Sequence, residues 1–244
     1  MSAVPGYELR GRVVGPGHVL DDAIVTIRSG VIESVLTPHE WRSTHYRAQL
    51  PAFRGTLLPG LVDLHADESP DPHYASGATS IVVNIARAPL SVMLESIARI
   101  YPLALTGDIA GISVDATGLS LDAVQTIVEH GEGTVCIVDL DQRDNDVVQF
   151  LDSSRVSIAA AEPACTAPLE WVRAHARDLG LAAAVRAMSI EPARTAGIDR
   201  YVGAISPGLR ADILIVDDAL NLRQVMRDGI WATESRRGHH AAAV

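Results

Sequence analysis

Positive charge is in short supply in this chain, where 20 Lys and Arg stand against 30 Asp and Glu for a formal charge of −10 over 244 residues. That deficit argues against a nucleic-acid partner or an anionic membrane surface, since both select for clustered basic side chains. Cysteine is scarcer still. Cys136 and Cys165 form neither a metal-ligand pattern nor a disulfide framework, and both read as packed thiols of a reducing compartment. Residues 1 to 20 lack a basic start followed by an apolar run, and no later stretch reaches the roughly 18 consecutive apolar residues of a membrane helix. The cytoplasm is the expected location, and a small molecule the expected partner. What the chain does have is core-forming material: 48% of it is hydrophobic and 20% charged, enough for one large domain or two smaller ones.

Its central stretch runs from Leu57 through Pro59-Gly60 and Leu61-Val62-Asp63-Leu64 to His65-Ala66-Asp67-Glu68. An apolar strand entered through a Pro-Gly bend here delivers an imidazole and then a carboxylate past its end. Strict alternation of side chains would put His65 and Asp67 on one side, as metal-capable ligands. Before it, residues 7 to 56 read as small antiparallel strands. Ala23 to Arg28 and Val31 to Val35, joined by Ser29-Gly30, predict a hairpin. After residue 59, apolar strands alternate with longer helical stretches, the pattern of parallel β/α units. Strands are expected at 61–64, 78–84, 109–115, 134–139 and 155–159, with helices at about 89–99, after Ser120, and at about 167–179 and 181–190. Beyond residue 203 short strands return, at Ile213 to Asp217 and around Asp228-Gly229, and residues 235–244 read as a disordered tail.

Each of the five strands ends beside a polar or acidic residue: His65 and Asp67, then Asn84, Asp115, Asp139 with Asp141, and Glu162. Parallel sheets gather their chemistry at the carboxyl ends of strands, so this pattern assigns one face to function. Plain turn chemistry of Asp and Asn is the competing explanation. His130 and His175 fall in helical stretches, where packing or surface roles are expected, which leaves His65, Asp67 and His73 as the candidate metal ligands.

Several segments together resemble the amidohydrolase superfamily. They are the opening hairpin, Leu58-Pro59-Gly60-Leu61-Val62-Asp63-Leu64-His65, Glu191-Pro192-Ala193-Arg194 with Gly197, and Ile205-Ser206-Pro207-Gly208-Leu209-Arg210-Ala211-Asp212-Ile213-Leu214. The Pro-Ala-Arg and Pro-Gly-x-x-Ala-Asp pair is most similar to N-acetylglucosamine-6-phosphate deacetylases. The resemblance implies an α/β protein: a (β/α) barrel, here incomplete or reduced to about five parallel strands, with a small β-sandwich built from both chain ends. Residues 1–57 and 204–234 would form the sandwich and 58–203 the shortened barrel, whose 146 residues compare with about 250 in a complete one.

The family likeness also implies a divalent metal, zinc first, and a phosphorylated amino sugar as substrate. His65, Asp67 and His73 would hold the metal. Asp115 and Asn84 would bind substrate, with Asp115 matching the first residue of a family Asp-Gly-x-His segment whose His is replaced at about Gly118. Asp139 or Asp141 would be the catalytic aspartate, and the register leaves both open. That carboxylate would take a proton from the attacking water and pass it to the leaving amine. His65-x-Asp67 departs from the superfamily's usual His-x-His and is similar to the His-Thr-Asp-Asn start of its phosphonate-pathway triphosphate hydrolases. The family's His-Leu-Glu-Gly-Pro segment and two later histidine motifs have no counterpart between Asn84 and Ile109. Two readings follow. One is an active, minimal amidohydrolase that cleaves an N-acetyl amide. The other is a catalytically inactive remnant that binds or assembles and needs no metal. Because missing barrel units leave strand edges uncovered, a homodimer is expected in either case.

Overall fold

The computed structural model describes residues 6–66, 76–86, 88–107, 109–115, 120–130, 136–139, 156–157 and 168–232. The N-terminal strands are β1 (Tyr7–Val14), β2 (Val19–Arg28) and β3 (Val31–Leu36), followed by the helix α1 (Pro38–Thr44) and by β4 (Phe53–Pro59). Ser29 and Gly30 turn β2 into β3 with positive φ angles of 51° and 80°, the turn geometry whose twist suits a two-residue hairpin. Thr37 and Glu40 close a reciprocal capping box at the start of α1.

At Gly60 the chain leaves this sheet and enters the β/α region. It comprises β5 (Leu61–Ala66), β6 (Ala78–Ile85), α2 (Leu90–Thr106), β7 (Gly111–Asp115), α3 (Leu121–His130), β8 (Cys136–Asp139) and β9 (Val156–Ser157). Three helices follow, α4 (Pro168–Leu179), α5 (Leu181–Ala187) and α6 (Ile190–Thr195). The chain then returns to short strands in β10 (Ile213–Val216), β11 (Leu222–Arg227) and β12 (Ile230–Trp231). A side chain at position 60 would collide with Thr79 and crowd Asp212, so glycine is what allows the two sheets to approach at the crossing.

The strands from the two ends of the chain are hydrogen-bonded into one continuous seven-stranded sheet, ordered β12-β11-β10-β4-β1-β2-β3. Its centre is β4, which pairs parallel with β1 and antiparallel with β10. One face gathers Leu9, Val25, Ile27, Ile32, Leu57, Ile213, Ile215 and Met226 into a shared core, so neither end of the chain completes this sheet alone. On the other face, Val14, Leu58, Leu214 and Val216 pack against Leu169 and Val172 of α4 and Val185 of α5.

The second sheet has five parallel strands in chain order, β5-β6-β7-β8-β9. Ala66, Ile81, Val83, Ile112 and Val114 cover one face, against Met93, Ile97 and Ile100 of α2 and Ile127 of α3. The helix α2 runs seven residues past the expected end at Arg99, through Pro102, and stops at Gly107 in a left-handed cap. Continued packing of Leu103 and Ala104 on the same core outweighs the hydrogen bond that proline forfeits. The expected helix over 181–190 is divided into α5 and α6 by Met188 and Ser189.

The two sheets are joined around Asp212, which is 3% exposed. Its carboxylate accepts hydrogen bonds from Arg210 (2.9 and 2.5 Å), Thr79 (3.0 Å) and the Asp228 backbone N–H (2.8 Å). Its backbone carbonyl accepts from the Gly60 N–H at 2.8 Å. A third Arg210 bond, from Nη2 to Ser80 Oγ at 2.9 Å, reaches β6. The Pro-Gly-x-x-Ala-Asp segment is therefore a structural rivet. Among the described residues no helix is long and apolar enough to cross a membrane.

Candidate active site

The face of the parallel sheet opposite α2 changes character along the strands. In its first half Val62, Leu64 and Val82 are covered by Ala193 and Ala196 of the α6 segment and by Ile198 and Val202. The small side chains of α6 let that segment lie close to the strands. Toward the carboxyl ends this face turns polar. Asn84 and Ser113 stand in register on β6 and β7, and Ser113 Oγ donates to Asn84 Oδ1 at 2.9 Å while also lying 3.3 Å from the Leu64 carbonyl. Ser113 is 4% exposed and Asn84 half-buried. With Oδ1 engaged, the Asn84 amide presents its N–H2 group as a donor.

Two positions beyond Ser113 is Asp115, which is paired in register with Asp139 at the end of β8. Neighbouring strands lie about 4.8 Å apart, so these two acidic positions are immediate neighbours across the edge. His65 is the penultimate residue of β5, one strand beyond β6. The strand does not alternate strictly there. Asp63 pairs with Ile81 and Ala66 with Val83, so Leu64 and His65 together oppose the single residue Val82. This bulge gives the α2-facing place that alternation would assign to His65 to Ala66, which packs with Val83.

Of the predicted site residues, Asn84, Asp115 and Asp139 thus come together on adjacent strands, and His65 is the penultimate residue of the strand next to that of Asn84. Asp67, His73 and Asp141 lie outside the described residues. Among the described residues no group of three or more His, Cys, Asp or Glu gathers as a metal cluster. His130 and His175 do lie in helices, as expected, and the His175 ring stacks on Trp171 with centroids 4.2 Å apart. Ser113 was not singled out by sequence reasoning. Its signal was a lone hydroxyl two residues before Asp115 in an otherwise apolar strand.

Residues 141–232 match the model of the amidohydrolase family. None of the curated proteins compared with the chain matches it. Among solved structures, the N-acetyl-D-glucosamine-6-phosphate deacetylase of Mycobacterium smegmatis superposes with a TM-score of 0.68 at 18% identity, over 92% of this chain and 99% of that one. The N-acetylglucosamine-6-phosphate deacetylase of Thermotoga maritima gives 0.63 at 13%, over 93% and 99%. The guanine deaminase of E. coli gives 0.53 at 11%, again over 93% and 99%. A deaminase and two deacetylases share this architecture, so the likeness speaks for the fold, and chemistry must be argued from side chains. The family match, over fewer than half of the residues, and the shared fold together make the chain similar to amidohydrolases.

Proposed function

We propose that the chain is a metal-dependent amidohydrolase that removes the acetyl group from an N-acetylated amino sugar phosphate. The observation that carries the reading is the polar row Asn84, Ser113, Asp115 and Asp139 across the carboxyl ends of adjacent parallel strands, with His65 one residue from the end of the strand beside it. The solved deacetylases of similar fold supply the substrate class.

Imidazoles at His65 and His73 with a carboxylate at Asp67 are a mixed nitrogen and oxygen donor set, which suits a divalent cation, zinc first. His65, Asp67 and His73 would hold it. A cation there supplies a water of lowered pKa and polarises the amide carbonyl. The rest falls to the chain's own groups. The carboxylate of Asp139 or Asp141 accepts a proton from the attacking water. It returns that proton to the amine nitrogen as the carbon–nitrogen bond breaks and acetate departs. The N–H2 of Asn84 donates to a substrate oxygen, held in aim by Ser113, and Asp115 accepts from a sugar hydroxyl. Barrel units missing from the shortened chain would leave strand edges that favour pairing with a second copy, so the reading includes a homodimer, expected in sedimentation velocity at micromolar concentration. A monodisperse monomer would count against it.

The test is release of acetate from N-acetylglucosamine 6-phosphate, run beside metal analysis of protein purified without chelator. Stoichiometric metal is expected in the wild type and its loss in His65→Ala. Replacing the true proton carrier, in Asp139→Asn or Asp141→Asn, should cut kcat by about 10² to 10⁴. A wild type with neither metal nor acetate release would reject the hydrolase and favour the binding or assembly reading.

A further inference from the structure

A groove of about 520 Å³ opens between α4 and the large sheet, and none of its lining comes from the strands of the parallel sheet. Its polar wall carries three guanidinium groups, from Arg12 on β1 and from Arg173 and Arg177 on α4, and its apolar edge is formed by Leu181. Arg173 and Arg177 are four residues apart, hence neighbours on one helix face, and like charges so placed repel. Among the described residues only one carboxylate, Asp218, lines the groove with them. The acid next to it is occupied elsewhere: Asp217 accepts from the backbone N–H groups of Ala219 (3.0 Å) and Asn221 (2.8 Å) and from Arg223 (2.7 Å). Those bonds brace the loop whose Leu220 carbonyl accepts from Arg173 Nη2 at 3.2 Å. Arg173 is thereby positioned with further N–H donors to spare. Arg12 has Asp21 at 3.5 Å, but that carboxylate is 93% exposed and stands in water. Among the described residues Arg177 has no ion pair or hydrogen bond.

We propose that this groove binds a small multivalent oxyanion, a phosphorylated or polycarboxylate metabolite whose charged groups sit between Arg12, Arg173 and Arg177 and whose carbon skeleton lies along Leu181. Guanidinium groups match phosphate and carboxylate through paired N–H donors, and the groove's volume falls within the range of small-molecule sites. The excess of positive charge here is local, on a chain whose formal charge is −10.

Isothermal titration calorimetry of the full chain, with inorganic pyrophosphate in one arm and citrate in the other, tests the assignment. Binding at about millimolar Kd or tighter is expected for at least one anion, and the arm that binds more tightly identifies phosphate or carboxylate as the preferred chemistry. Arg177→Gln and Arg12→Gln should each weaken it by about tenfold or more. Arg47→Gln, exposed and outside the groove, should leave it unchanged. Arg12 and Arg177 are exposed, and thermal melting of the variants confirms folding. No binding of either anion, or equal affinity in the wild type and both groove variants, overturns the proposal.

Discussion

Asp212 shows how a single side chain can serve two sheets. Its carboxylate is buried, and its hydrogen bonds come from a neighbouring arginine, a threonine of the parallel sheet and the backbone of the β11–β12 turn. Removing Arg210 leaves a buried charge with its main counterion gone, and Arg210→Gln should lower unfolding free energy by about 3 kcal/mol in urea titrations. Asp228, one bond away, has its carboxyl pushed above the usual aspartate range, chiefly by burial, against the pull of Arg210. A raised carboxyl means that the ionised form is disfavoured in the fold. Its share of stability is therefore greatest below the unfolded value and declines as pH rises through the folded one. Asp228→Asn, which also tolerates the φ of 51° at that position, should stabilise the protein slightly at pH 7, by about 0.5 kcal/mol or less given solvent screening. The gain should vanish near pH 3 in a series of thermal melts. Ser113 gives a third residue-scale outcome. Ser113→Ala frees Asn84 from its anchor and, under the proposed hydrolase function, should lower kcat/KM several-fold, while costing only about 1 kcal/mol of stability.

At the scale of elements, the hydrophobic pattern does most of the work. The helix α2 presents Met93, Ile97 and Ile100 to one core, all at most 3% exposed. Ile97→Ala should cost about 2 to 5 kcal/mol in chemical denaturation, the usual penalty for a cavity in a packed core. The same pattern made the five parallel strands, the β2–β3 hairpin and the helix around His175 legible from sequence. Where the reading fell short, a longer-range force prevailed over a local signal. The helix expected to end at Arg99 runs on through Pro102 to its cap at Gly107, carried by packing beyond the expected end. Period-two alternation along β5 would give the α2-facing place to His65, yet the bulge shifts the register and hands that place to Ala66. Asn84, Asp115 and Asp139 were readable because each ends a strand run. Ser113 was not, because a buried hydroxyl is visible only once its partner on the next strand is known.

At the scale of the whole molecule, the sequence marked both chain ends as strand-rich but not how they interleave. The large sheet meets on β4, with the early strand β1 on one side and the late strand β10 on the other. That arrangement has a consequence for synthesis on the ribosome. The β1–β3 hairpins and β4 emerge first, but β4 keeps an unpaired edge until Ile213–Val216 has been made, so most of the chain must leave the exit tunnel before the sheet can close. A nascent chain stalled before residue 213 should be sensitive to protease and held by chaperones, and one released after residue 232 should become resistant, as pulse proteolysis of arrested chains would reveal. Strands β10 to β12, made after the β/α region, act as the clasp that commits the first ones to their native partners.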